Sequence, residues 1–389
     1  MIELLAPAGD LEKLKIAYIY GADAVFIGGN EFSLRSRASN FALEEIKEGA
    51  EFAHSLGKRL YVTANIIPHQ EDTENLKEYL LTLEDAKVDA IIAASPFIID
   101  TALKYTKLEV HLSTQCSTTN SNVIDYWTKK GVKRIVLARE LTLDEIKLLR
   151  EKTKTDLECF IHGGMCMSYS GRCALSNNMT DRDANRGGCA HSCRWNYNVV
   201  GINSKTNFSL SSKDLMSINE IPKLIDLGIN SLKIEGRMKS LHYVATVVKA
   251  YRMVIDEYQS KKKIKDINKY VKEVLKAENR LTSCGFFGGI PGCSGGLYNE
   301  RSERPTQNFV GIVKAYDERK KEVIVEQRNY FLPEERLEFF SPSDDSKEFV
   351  IGKIYDEDGL ELDAARHPKQ IVKFNLPFEV KPFTFIRKV

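Results

Sequence analysis

At 389 residues, with 43% hydrophobic and 28% charged residues, the chain is long enough for one large α/β domain and a small second one. Its formal charge of +2 excludes a wholesale polycation, so any nucleic-acid contact has to come from a local patch. The opening MIELLAPAGDLEKLKIAYIY lacks a basic stretch before an apolar core, and no uncharged run approaches the roughly 18 residues of a membrane span. No membrane association is expected. The sequence reads as cytoplasmic, where thiols stay reduced and clustered cysteines favour metal binding or catalysis over disulfides.

From residue 3 to about 160 short apolar runs alternate with longer amphipathic ones. The predicted strands are Glu3–Ala6, Ala24–Gly28, Leu60–Ala64, Ala90–Ala93, Glu109–Ser113, Arg134–Ala138 and Leu157–Ile161, with an eighth at Ser231–Glu235. Helical patterns such as LEEIKEGAEFAHSLG and SNVIDYWTKKG lie between them. This alternation implies parallel strands with crossover helices. Eight strands over some 250 residues suit a TIM-type (β/α) barrel, with a doubly wound open sheet as the alternative.

Small or polar residues follow each predicted strand, and in a barrel those loops converge on the face that carries the active site. Most such positions are ordinary strand-to-helix turns. Arg139-Glu140 and Glu235-Gly236-Arg237 stand out, because long charged side chains at a strand end must meet a partner or a ligand. Each arginine has an ordinary reading too, an ion pair with the adjacent acid.

Residues 158–195 form a cysteine-rich insertion after the seventh strand. It holds Cys166, Cys173, Cys189 and Cys193, spaced Cys-x6-Cys-x15-Cys-x3-Cys among many glycines, with no apolar periodicity to stabilise a helix or strand. Four thiolates suit tetrahedral zinc or a 4Fe–4S cluster. Structural zinc favours close Cys-x2–4-Cys pairs, which only the last two match, so the spacing leans towards a cluster. His162 and His191 flank the group, and a supporting or substrate-facing role is expected for them because four cysteines already complete a site. A Cys166 nucleophile with His162 as base is the rival arrangement. It leaves three cysteines unexplained.

Downstream, NYNVVGINSKTNFSLSSKDL reads as a hairpin turning at Asn203–Lys205, and Lys261–Lys265 begin a basic helical stretch. CGFFGGIPGCSGGLYNERSERP reads as a loop or linker. From Gln307 short alternating strands predict a small antiparallel β-barrel. The expected domains are 1–258, a bridging segment 259–306, and 307–389.

ECFIHGGMCMSYSGRCALS resembles the signature of the collagenase-like peptidase superfamily, the unknown-type peptidase family numbered thirty-two, with Gly164 where that signature has Ser or Ala. LLAPAGDLEKLKIAYIYGADAVFIGG, FSLRSRASNF, STQCSTTN, LARELTLDEI and SLKIEGRMKSLHYVATVVKAYR are similar as well, so the resemblance spans nearly the whole chain. The blocks look most like the tRNA-hydroxylating branch, which makes 5-hydroxyuridine at the wobble position with prephenate. Sister branches hydroxylate a ribosomal RNA cytidine or act in ubiquinone synthesis, and relatives carry a protease label.

The resemblance implies a 4Fe–4S cluster, with zinc the alternative, on Cys166, Cys173, Cys189 and Cys193. Cys193 is the ligand most open to replacement, by Cys116. A tRNA substrate and a small dicarboxylate co-substrate call for cationic and polar groups: Arg35, Arg37 and Gln115 for binding, and Arg139, Glu140, His162, Glu235 and Arg237 for catalysis. The basic helix and the C-terminal domain offer a track for RNA phosphates, and Tyr169 or Trp195 a stacking surface. A partner protein or a homo-oligomer is compatible with this reading.

Overall fold

The computed structural model describes residues 2–34, 40–198, 208–277, 280–297 and 309–389. Two compact units emerge: residues 1–274 with 279–304, and residues 275–278 with 305–389.

The first unit is a closed barrel. Its strands are β1 (Glu3–Pro7), β2 (Ala24–Gly28), β3 (Arg59–Ala64), β4 (Ala90–Ala93), β5 (Glu109–Leu112), β6 (Arg134–Val136) and β7 (Asp156–Gly163), followed by the short β8 (Asp214–Met216) and by β9 (Ser231–Ile234). Strands β1 to β7 pair with their neighbours in parallel, and β9 pairs in parallel with both β1 and β7. That double pairing closes the ring and excludes the open doubly wound sheet. The eight predicted strands all fall on barrel strands, with ends shifted by one or two residues. Unforeseen was β8, which runs antiparallel to the top of β7.

Helices cover the ring: α1 (Leu11–Ile19), α2 (Leu43–Ser55), α3 (Leu76–Asp85), α4 (Pro96–Tyr105), α5 (Ser121–Lys130) and α6 (Leu143–Lys152), then α7 (Leu175–Thr180) in the cysteine segment, α8 (Ile221–Asp226), α9 (Leu241–Lys261) and α10 (Ile267–Leu275). Their starts are written locally. Asp10 accepts from the Lys13 amide, Asn120 from Val123, and Thr142 forms a capping box with Glu145. Gly131, at φ 110°, ends α5 in the left-handed region that glycine adopts without strain.

Alternate strand residues point into the barrel. One interior layer is apolar: Leu5, Ala24, Phe26, Tyr61, Ala90 and Ile92. Beside it lies a charged network at the N-terminal ends of the strands. Glu3 receives Arg134 (2.5 Å), Tyr61 Oη (2.6 Å) and Ser231 Oγ (2.8 Å), and Glu158 receives Lys233 (2.9 Å) and Arg134 (3.3 Å). Burial pushes the Glu158 carboxyl up, but Lys233 and Arg134 outweigh it and hold the group below its ordinary value.

The glycine-rich stretch expected as a linker is folded against the barrel unit. A short strand β10 (Thr282–Ser283) pairs in parallel with β8, Leu297 N–H donates to the Ser211 carbonyl (2.7 Å), and Arg280 forms a buried ion pair with Asp214 (2.5 Å). The turn of the expected hairpin at 203–205 lies outside the described residues, although Tyr197 and Phe208 pair antiparallel at its base.

The second unit holds β11 (Phe309–Asp317), β12 (Glu322–Gln327), β13 (Arg336–Phe340), β14 (Lys347–Val350), β15 (Ile354–Tyr355), β16 (Glu361–Leu362), β17 (Ile371–Asn375) and β18 (Phe385–Lys388). They form one antiparallel sheet in the order β14-β13-β18-β11-β12-β17-β15-β16, curled round a core that includes Val310, Phe331, Phe339 and Phe374. Among the described residues its end strands β14 and β16 do not pair. The small antiparallel β-barrel expected is present as a half-barrel.

Candidate active site at the barrel mouth

The C-terminal ends of the strands form a polar mouth, and Arg237, just beyond β9, spans it. Its guanidinium donates to Ser33 Oγ (3.0 Å), Thr63 Oγ1 (3.4 Å) and Asn40 Oδ1 (2.6 Å) while only 4% exposed. Two glycines make this placement feasible. A β-carbon on Gly28 would lie 2.0 Å from Arg237 Nη2, and one on Gly9 would lie 2.2 Å from the Arg237 carbonyl oxygen. Ser33, Asn40 and Thr63 escaped the sequence reading because isolated small polar residues carry no spacing signal. The Gly28-Gly29 pair at a strand end was the available clue.

Arg139 lies flat over Phe160, its guanidinium carbon 3.7 Å from the ring centroid, and donates to the Gly164 carbonyl (2.7 Å). Glu140 turns to the cysteine segment, where its two carboxylate oxygens receive Ser170 N–H and Ser170 Oγ, both at 2.6 Å. Ser170 sits at φ 47° in the turn Tyr169–Gly171, a left-handed conformation these two bonds hold in place. Arg172 Nε donates to the Gln115 carbonyl (2.6 Å), and Ile67 N–H to the Asn185 carbonyl (3.0 Å). The segment, itself the loop after β7, is thereby fastened to the loops after β3, β5 and β6.

The structure moves His162 away from this group. Strand β7 pairs Phe160 with Lys233 but His162 with Ile234, so one extra residue is accommodated between them. Such a bulge reverses the in–out alternation. Glu158 and Phe160 face the barrel interior, whereas His162 faces α9, with Nδ1 3.3 Å from Tyr251 Oη and its ring 5.7 Å from that of Tyr243. Burial, assisted by the Lys239 charge, lowers its pKa to about 3 and keeps it neutral. The expected catalytic placement of His162 is corrected accordingly: it packs behind the mouth. Glu235 is half-buried, its N–H donates to the His162 carbonyl (2.8 Å) and its own carbonyl accepts from Tyr243 Oη (2.8 Å). Arg35 and Arg37 lie outside the described residues.

Cys166 and Cys189 are exposed, Cys173 and Cys193 half-buried, and none is in a disulfide. Burial first, and then the neighbouring Cys166, Cys189 and Cys173, push the Cys193 thiol up, with Arg194 opposing. Cys193 is therefore within electrostatic reach of the other three thiols. Among the described residues no three His, Cys, Asp or Glu side chains stand at closed metal-ligand spacing. The donor chemistry nonetheless fits a thiolate-bound group, and the buried Ser192 hydroxyl beside Cys193 has no hydrogen-bond partner among the described residues. Cys116 is occupied differently. Its Sγ donates to the Ala94 carbonyl (3.2 Å), and burial pushes its pKa up to about 11.

Residues 9–295 match the family model described as peptidase family U32, and residues 305–387 match that of the U32 C-terminal domain. The chain belongs to peptidase family U32. Among its U32 relatives, tRNA hydroxylation protein P1 of Bacillus subtilis (strain 168) is 50% identical over 398 residues, covering 99% of this chain and 94% of that protein. An uncharacterized protease of Methanocaldococcus jannaschii is 38% identical over 300 residues, covering 74% of this chain and 73% of its own length. The 23S rRNA 5-hydroxycytidine C2501 synthase of Escherichia coli (strain K12) is 39% identical over 259 residues, 66% of this chain and 39% of that protein. Among the described residues no helix is long and apolar enough to cross a membrane.

Proposed function

We propose that this U32 protein is a tRNA-modifying enzyme that hydroxylates carbon 5 of the wobble uridine. The near-full-length similarity to tRNA hydroxylation protein P1 carries this reading. In it, Cys166, Cys173, Cys189 and Cys193 hold a 4Fe–4S cluster, prephenate is the co-substrate, and the protein works in the cytoplasm on tRNA. A thiolate-ligated cluster supplies redox or Lewis-acid chemistry beside the barrel mouth. The chain's own residues do the rest. Glu140, Arg139 and Arg172 hold the cysteine segment over the mouth, and Arg237 presents a fixed cationic edge to a carboxylate or phosphate.

Charge supports placing the RNA at the mouth. Residues 166–195 carry four arginines against two aspartates, whereas residues 309–389 carry fourteen Lys and Arg against sixteen Asp and Glu. A net-acidic half-barrel is a poor phosphate track. Tyr169 and Trp195 are both exposed and offer base-stacking surfaces. The peptidase reading draws no support from the geometry, because the base it would pair with Cys166 faces α9. Nucleoside mass spectrometry of tRNA from a deletion strain tests the proposal. 5-Hydroxyuridine derivatives should vanish and return with a plasmid copy. Undiminished levels in a strain with no second homologue would overturn it.

A further inference from the structure

Gln115 lies in the one-turn 3-10 segment Thr114–Cys116 beyond β5, with 4% of its surface exposed. A relay of donors fixes which way its amide faces. Leu34 N–H donates to Asn65 Oδ1 (3.2 Å), which turns Asn65 Nδ2 towards Gln115 Oε1 (2.9 Å). Ser113 Oγ donates to the same oxygen (3.1 Å) and accepts from the Gln115 backbone N–H (3.4 Å). The amide nitrogen therefore faces away from this relay, buried and with no hydrogen-bond partner among the described residues. Buried donors are nearly always satisfied, so one left over beside a candidate active site calls for an incoming acceptor.

The surroundings narrow the acceptor. The Gln115 carbonyl holds Arg172, which adjoins Cys173, and a β-carbon on Gly171 would be 4.0 Å from Gln115 Cγ. The amide thus sits at the seam between the mouth and the cysteine segment. We infer that Gln115 Nε2 donates to the 4-carbonyl oxygen of the target uracil and so selects uracil over cytosine. This assignment rests on the RNA-hydroxylation reading above. Carbon 4 adjoins carbon 5, the atom to be hydroxylated beside the cysteine segment, whereas the 2-carbonyl lies across the ring. Cytosine presents an amino group at position 4, setting donor against donor.

The test compares binding of two anticodon stem-loop RNAs, alike except for uridine or cytidine at the wobble position, by fluorescence anisotropy with the anaerobically purified full chain. The wild type should favour the uridine loop by roughly tenfold. Gln115→Glu keeps an oxygen for Asn65 and Ser113 but replaces the donor with an acceptor, so the preference should collapse or turn towards cytidine. Gln115→Met should abolish it as well. A uridine-to-cytidine ratio unchanged in Gln115→Glu overturns the assignment, as does an equal loss for both loops. Weakened binding of a small dicarboxylate with that ratio intact overturns it in favour of a carboxylate partner. A wild type that binds neither loop sinks the RNA reading itself, which separates the two failures.

Discussion

The guanidinium of Arg237 occupies the space a side chain on Gly28 would need, with Nη2 2.0 Å from the ideal β-carbon position. The two residues lie 209 positions apart, Gly28 at the end of β2 and Arg237 just beyond β9, the two strands that flank β1. Gly28→Ala should therefore act as an Arg237 mutation at a distance. The displaced fork cannot keep Ser33, Thr63 and Asn40 together, and a shift near 1 Å at a reacting centre costs about 100-fold in rate. We expect tRNA hydroxylation to fall by that order in Gly28→Ala and at least as far in Arg237→Lys, whose ammonium lacks the planar fork. Product formation in single-turnover assays is the measurement, with the thermal midpoint recorded to separate misplacement from unfolding.

Metal content tests the cysteine assignment. Replacing Cys166, Cys173, Cys189 or Cys193 by serine should abolish the broad thiolate-to-iron absorption expected near roughly 400 nm in anaerobically purified protein. Cys116→Ser should retain it, since that thiol already donates to the Ala94 carbonyl. The opposite pattern for Cys193 and Cys116 would move the fourth ligand to the loop after β5. Stoichiometric zinc in a colourless protein would replace the cluster altogether.

Glu140 is the cleanest handle on the cysteine segment because both its oxygens go to Ser170. Hydrogen bonds to a charged acceptor contribute about 1.5–3 kcal/mol each. Glu140→Ala should raise amide exchange across residues 166–173 by tenfold or more while leaving the barrel strands protected. Equal protection in wild type and variant would show that the other ties suffice.

Acidification should expose His162. Its folded pKa, near 3, lies below the ordinary value of 6.5, so the unfolded chain takes up a proton that the folded one refuses. Stability from this group is complete above pH 6.5 and declines as pH falls from there towards 3. His162→Phe should flatten the dependence of the thermal midpoint on pH between about 6.5 and 5, the part due to this proton. Buried His111, also held below its ordinary value chiefly by burial, titrates in the same sense and supplies the residual slope.

The barrel was legible because its strands are continuous apolar runs at regular intervals, and Ala24–Gly28 and Ala90–Ala93 match residue for residue. The mouth was legible in part. Arg139, Glu140 and Arg237 announced themselves as charges at strand ends, but their partners did not, since Ser33, Thr63 and Ser170 are common residues that gain meaning only through long-range contact. His162 was misplaced because strict alternation hides a bulge, and nothing in FIHGG reveals one. The antiparallel β-domain was legible from its short alternating strands, but strand count and spacing do not report whether the end strands meet.

The charged network under the mouth has a kinetic corollary. Arg134, Glu158, Lys233 and His111 are each at most 5% exposed, so the barrel is plugged at its N-terminal end. With that end filled among the described residues, a molecule seated beside Arg237 should enter and leave on the side of the cysteine segment. Substrate and product are then expected to share that route. Added product should therefore inhibit competitively in initial-rate assays.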